Sequence, residues 1–247
     1  MTTIGFDDLP KVAIQPGTVA MFLHTPAREP WEGELQQAVE QGAFHVPRVD
    51  LPGLSLDGMA TWLDRNLPTS AVSRDTRDRL LSDILALTYT VEDLTSAQHY
   101  RLRIFTAPPD RRCGYHVDTV PAAAPLWGCL KVYNGAGTNW FAGDDIRSMA
   151  AFYRWLQTRD RIVRTLANDP PHRDAALQVL DEKPDFLVPG ARSRRVASRT
   201  PVFFKHLPVD RFWTDHETDR AWVHASPMEG ARRLVVNISP EQRLPVQ

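Results

Sequence analysis

The residues best suited to chemistry are His116 and Asp118, two positions apart in His116-Val117-Asp118. In an extended strand alternate side chains share a face. An imidazole nitrogen and a carboxylate oxygen would then point the same way, with Val117 packing behind them. Two such donors can hold one metal ion from neighbouring corners of its shell. The third donor must come from elsewhere. His224, in Trp222-Val223-His224-Ala225-Ser226-Pro227, stands near the end of a late strand candidate and is the first choice. His206, at a strand end, and His216, in Asp215-His216-Glu217, rank below it. Two histidines and a carboxylate leave adjacent positions open, which suits ferrous iron with a chelating cosubstrate and oxygen. Zinc with a bound water suits the same ligands. The competing reading is ordinary, since His-x-Asp is common by chance and most histidines simply hydrogen-bond.

Nine residues beyond His224, Arg233 opens the alternating run Arg233-Leu234-Val235-Val236-Asn237-Ile238. Arg233, Val235 and Asn237 share one face. An arginine on a core strand is costly to desolvate without an anion, and its planar fork fits a carboxylate. Exposure at the strand entrance is the alternative, for Arg232 as well, because parity does not say which face is inside. On an earlier run, Leu126–Tyr133, Cys129, Lys131 and Tyr133 share a parity. Tyr133 would either donate its phenol to a bound ligand or fill the core. Lys131 is a rival anchor for a carboxylate. Trp140 and Phe141 are expected to pack beneath the site more than to line it. Ser226 has no evident acid–base relay, so a serine nucleophile is set aside.

These residues need elements to hold them. Val19–Leu23 reads as a short strand bounded by Pro16-Gly17 and Pro26, and residues 31–42 as a short helix. Leu56, Met59, Trp62 and Leu63 recur at helical spacing, as do Leu80, Leu81, Ile84, Leu85 and Thr88 behind Ser73 and Asp75. Beyond residue 99 the period shortens. Tyr100–Thr106, Tyr115–Val120, Leu126–Tyr133, Pro201–His206, Arg220–His224 and Arg233–Ile238 read as strands punctuated by prolines, a cadence of sandwiches and barrels. One helical block interrupts them, from Ile146 to Leu166, with Asp144-Asp145 expected to cap it. Pro170-Pro171 is expected to end it and a second helix to follow at about 173–181. The block reads equally as a lid on a pocket or as a cover on a sheet. Residues 183–200 look like a basic surface loop carrying Lys183, Arg192, Arg194, Arg195 and Arg199.

The order His-x-Asp, distant His, then Arg resembles the iron(II)- and 2-oxoglutarate-dependent oxygenases. More closely, Gly114–Asp118, Lys131–Trp140, Pro201–Lys205, His224–Pro227 and Arg233–Val236 resemble the bacterial DUF1826 family. The resemblance implies a mainly β fold, a double-stranded β-helix of the jelly-roll or cupin-like kind. Its core strands would lie at 99–143 and 199–240, with supporting helices at 54–98 and an inserted block at 144–198, all in one domain over 1–247. It implies His116, Asp118 and His224 as Fe(II) ligands. Arg233 would bind 2-oxoglutarate; beside what the resemblance implies, Tyr133, Lys131 and Asn237 are further candidates for binding that cosubstrate, and Tyr133 is also a catalytic candidate. The reaction implied is oxidation, by default hydroxylation, of a C–H bond in a small molecule, using O2 and releasing succinate and CO2. The segment Pro121–Pro125 departs from the broad superfamily. Two other readings stand: another divalent-metal cupin-like enzyme, a hydrolase or isomerase, and a non-enzymatic metal-binding protein.

Composition sets the boundaries. With 29 basic and 30 acidic residues the formal net charge is -1, so no nucleic-acid footprint is expected. The apolar runs are too short for a membrane span, and no basic-then-apolar leader opens the chain, so a cytoplasmic location is expected. Cys113 and Cys129 are too few for a disulfide framework and read as reduced thiols. A homodimer is expected only from the frequency of two-fold assemblies.

Overall fold

The computed structural model describes residues 3–109 and 114–241. Cys113 lies outside them; Cys129 is buried and free. In chain order the elements are β1 (Thr3–Ile4), α1 (Leu9–Ala13), β2 (Ala20–Leu23), α2 (Pro30–Glu40), β3 (Val49–Leu54), α3 (Leu56–Asn66) and α4 (Arg74–Thr95). There follow β4 (His99–Ala107), β5 (Thr119–Val120), β6 (Trp127–Val132), β7 (Asn139–Trp140), α5 (Met149–Thr165) and α6 (Pro170–Glu182). The chain closes with β8 (Arg194–Arg195), β9 (Val202–Lys205), β10 (Leu207–Pro208), β11 (His224–Ala225) and β12 (Arg233–Glu241). Helical residues outnumber strand residues, so the expectation of a mainly β protein is corrected to a mixed α/β fold. Among the described residues the strands form separate sheets and not a closed barrel: seven strands in the order β1-β2-β9-β6-β12-β4-β3, three as β11-β7-β8, and the pair β10-β5.

The layers follow from side-chain parity. On the large sheet Leu102, Ile104, Cys129, Phe203, Leu234, Val236 and Ile238 face the N-terminal helices in one buried cluster. The opposite face carries Leu130, Val132, Val202, Phe204 and Val235, which pack against Trp140 and Trp222 from the side of the small sheet. The far face of the small sheet, with Tyr115, Val117, Phe141, Val223 and Ala225, packs against Phe152 and Trp155 of α5 and against Phe186. The helical insert therefore lies behind the small sheet, on the side away from His116 and Asp118.

Local chemistry explains the boundaries. Ser73 caps α4 by accepting from the Thr76 N–H, and Ser148 caps α5 by accepting from Ala151. The expected Asp144-Asp145 cap is corrected: Asp145 accepts from the Ala142 N–H in a preceding 3-10 turn. The prolines at 170 and 171 open α6, with Asp169 as its N-cap. Proline at the first helical positions sacrifices an N–H that has no helical partner anyway. Pro52 and Gly53 both lie in β3. That strand is at the sheet edge, where a missing donor is tolerated, and its register shifts between Leu51 and Leu54.

Candidate metal centre

His116 and His224 stand directly opposite each other on two short antiparallel segments. Each backbone N–H donates to the other residue's carbonyl, at 2.8 and 3.0 Å. That pairing sets the imidazole centroids 4.4 Å apart. Asp118, two residues beyond His116 on the same face, brings Oδ1 to 3.6 Å from His116 Nε2. One donor atom from each of His116, Asp118 and His224 lies within 4.8 Å of the others.

The rings are also aimed. His116 Nδ1 lies 2.8 Å from the Gly114 carbonyl, and His224 Nδ1 lies 3.0 Å from the Trp222 carbonyl. A carbonyl can only accept, so each Nδ1 carries a hydrogen, which leaves Nε2 as the nitrogen able to ligate. Trp222 stacks on His224 with centroids 4.3 Å apart and planes 14° apart, which fixes the ring in its slot. Burial, and then the neighbouring His116, push the His224 pKa down to about 3. The ring is neutral and ready to ligate at any physiological pH.

Asp118 is gripped from the large sheet. Asn237 on β12 and Arg103 on β4 are direct cross-strand neighbours. The Asn237 amide donates to Oδ2 at 2.9 Å, and Arg103 Nη1 lies 3.5 Å from Oδ1. Burial alone would raise the carboxyl pKa; the positive charge gathered around it, Arg103 first, together holds it below the ordinary carboxylate range, so Asp118 is a carboxylate. The grip continues inward. Ser239 Oγ lies 3.2 Å from Asn237 Oδ1 and 2.9 Å from His206 Nε2, and His206 Nδ1 lies 3.0 Å from the Leu126 carbonyl. An added Cβ on Gly128 would sit 2.3 Å from His206 Cε1, so glycine there makes the room for this ring.

The expected residues divide by face. His116, Asp118, His224, Asn237 and Arg233 share the space between the sheets. Arg233 is 3% exposed, and its Nη1 donates to the Ala136 carbonyl at 2.8 Å. Asn237 spends its amide on Asp118, a ligand candidate. Lys131 and Tyr133 are corrected. They project from β6 to the helix side, where Lys131 Nζ meets Asp83 at 2.8 Å and the Tyr133 hydroxyl donates to it at 2.6 Å. His206 has both ring nitrogens engaged as above, and His216 bonds Tyr153 at 2.8 Å. Trp140 packs between the sheets and Phe141 behind the small one. Much of the basic loop is tied down: Arg194 to Asp145, Arg195 to Asn139 and Arg199 to Glu32. Sequence reasoning missed Arg103, Ser239 and the role of His206. The signal for Arg103 was present, as a charged residue on the alternating run Tyr100–Thr106.

A family model described as "Protein of unknown function (DUF1826)" matches residues 27–175, more than half of the chain. The chain belongs to the DUF1826 family. His116 and Asp118 of this DUF1826 protein lie inside the matched span, whereas His224 and Arg233 lie beyond it. No curated protein matches the chain. Among solved structures, the dioxygenase for auxin oxidation 1 from Arabidopsis thaliana, in a binary complex with 2-oxoglutarate, superposes with a TM-score of 0.50 at 9% identity. That match covers 99% of this chain and 91% of the other. A prolyl-4-hydroxylase from Pseudomonas putida gives a TM-score of 0.41 at 12% identity, covering 97% of each chain. AviO1 from Streptomyces viridochromogenes gives 0.39 at 12%, covering 100% of this chain and 99% of that one. The first likeness shows a related fold. No described helix is long and apolar enough to cross a membrane.

Proposed function

We propose that this DUF1826 protein is an Fe(II)- and 2-oxoglutarate-dependent oxygenase that oxidises, by default hydroxylates, a C–H bond of a small molecule. The observation that carries the reading is the aimed triad. Three donors from two segments converge within 4.8 Å, and both imidazoles have Nδ1 locked on carbonyls, which leaves Nε2 as the nitrogen able to ligate. Two histidines and one carboxylate on one side of an ion leave its other side open, which suits iron with a chelating cosubstrate. When bound, iron and the keto acid supply the oxidising power, O2 being activated as 2-oxoglutarate loses CO2 to give succinate.

The chain's own residues bind, orient and exclude water. His116, Asp118 and His224 would hold the ion, with Asn237 fixing which carboxylate oxygen faces it. Arg233, on the same face of β12 as Asn237, is the proposed anchor for the far carboxylate of the cosubstrate. Phe204, Trp140, Trp222 and Val235 form a dry wall between the sheets, where charge interactions are stronger than in water.

The test is an anaerobic titration of the metal-free protein with ferrous iron and then 2-oxoglutarate. A weak visible charge-transfer band that needs both components supports direct chelation of the keto acid at bound iron. Iron held by the triad with no band on adding 2-oxoglutarate would overturn the proposal in favour of a zinc-type or binding-only protein.

A further inference from the structure

The large sheet extends past the metal site as β4 and then β3. Its inner face there carries Arg101, Arg103 and Phe105 from β4, with Asp50 paired to Arg103 in register. The same register sets Arg48 opposite Phe105, and the Arg48 guanidinium lies 3.8 Å from the Phe105 centroid. Asp50 is engaged by Arg101, whose Nη2 donates to it at 2.8 Å. Arg48 is exposed and makes no hydrogen bond or ion pair with any described residue. The Arg103 side chain is 30% exposed, and its two contacts are long: 3.5 Å to Asp118 and 3.3 Å to Ser239. His116, the triad member beside Asp118, is 31% exposed.

Charge then decides what fits. In the metal-free protein Asp118 offsets Arg103. Resting on the reading above, a divalent ion, the Asp118 carboxylate, a dianionic keto acid and the Arg233 guanidinium sum to zero. Loading the site thus draws the Asp118 charge toward the ion and leaves Arg103 and Arg48 with Asp50 alone, a carboxylate that Arg101 already engages. A partly buried guanidinium without an anion is costly, and a guanidinium binds a carboxylate with charge-assisted hydrogen bonds. We propose that Arg103 and Arg48 receive the carboxylate of the substrate, an organic anion whose apolar body lies along Phe105 above the metal site.

The probe is benzoate, with its neutral isostere benzamide as the control. Protein loaded with Mn(II) and saturated with 2-oxoglutarate is mixed with each, and the paramagnetic relaxation of the probe's ring protons gives both affinity and proximity to the ion. Benzoate is expected to relax strongly and benzamide weakly. Arg48→Ala, an exposed change, and Arg103→Met are each expected to weaken benzoate binding about tenfold, the loss of one hydrogen bond to a charged group. Mn(II) and 2-oxoglutarate binding should persist in Arg48→Ala. Equal relaxation by the two probes, or benzoate binding unchanged in both variants, overturns the inference while leaving the oxygenase reading intact. Failure of the wild-type protein to take up Mn(II) or 2-oxoglutarate overturns the oxygenase reading, and the inference with it.

Discussion

At the residue scale, the candidate centre depends on donors that never touch the metal position. Asn237 is the clearest case. Its amide occupies Asp118 Oδ2, which leaves Oδ1 toward His116. Asn237→Leu keeps the volume and removes the donor, so the carboxylate is free to rotate. Partners that orient metal ligands are typically worth 10- to 100-fold in affinity. Ferrous or zinc affinity measured against a competing chelator is therefore expected to fall by about that factor. Unchanged affinity would show that burial alone orients Asp118. A second prediction follows from His224. Its pKa is pushed down to about 3 from a reference of 6.5. As pH falls through that window the unfolded chain takes up a proton that the folded chain refuses, so metal-free stability drops. Asp118 acts in the same direction, but only below the ordinary carboxylate range. The urea midpoint of metal-free protein should decline between about pH 6.5 and 4.5, and decline less steeply in His224→Gln. Parallel slopes would show that His224 titrates normally.

At the element scale, β6 serves two layers at once, and this is where sequence reading reached its limit. Alternation correctly grouped Cys129, Lys131 and Tyr133 on one face, yet strands buried on both sides give no polar face to mark the interior. All of β6 is buried. Lys131 and Tyr133 read as candidate ligand-binding groups because they share one face of that strand. Their partner is Asp83, three turns into α4, a residue that no local pattern links to β6. The same ambiguity on β12 resolved the other way: Asn237 touches Asp118, so its face is the inner one. The His-x-Asp pair and His224 were legible because a strand's period of two fixes their common face. Arg103 showed only as a charge on an alternating run, and its partner was not legible, because nothing in the chain says that β4 lies beside β12. The Asp83 clamp carries its own prediction. Asp83→Ala takes the carboxylate away from Lys131, whose side chain is 7% exposed in the native protein. Breaking such a pair by removing one partner costs on the order of 3 kcal/mol. Chemical denaturation should show that loss, and metal affinity should change little because Asp83 acts on the opposite face from the triad. Equal stability would mean that the ammonium finds water or sheds its proton at no cost.

At the scale of the whole molecule, the triad is a junction between the halves of the chain. His116 and Asp118 precede the helical insert and His224 follows it, with one hydrogen-bonded bridge joining them. The large sheet contributes Asn237 and Arg103 to the same point. A bound ion would tie these segments together, and its binding free energy would add to folding free energy, since the unfolded chain has no preformed site. At a free metal concentration 100 times the dissociation constant, the gain is about 2.7 kcal/mol. For a chain of this size that corresponds to roughly 5–10 °C in Tm. The rise should appear with ferrous iron under anaerobic conditions and also with redox-inert zinc, because it reports ligation and not turnover. It should vanish in His116→Ala/His224→Ala, whose metal-free Tm serves as its own baseline. An equal rise in the double variant would place the ion elsewhere on the chain. No rise in the wild-type protein, with binding shown independently, would mean that the ion also binds the unfolded chain and that the junction is organised by Asn237 and the histidine bridge alone.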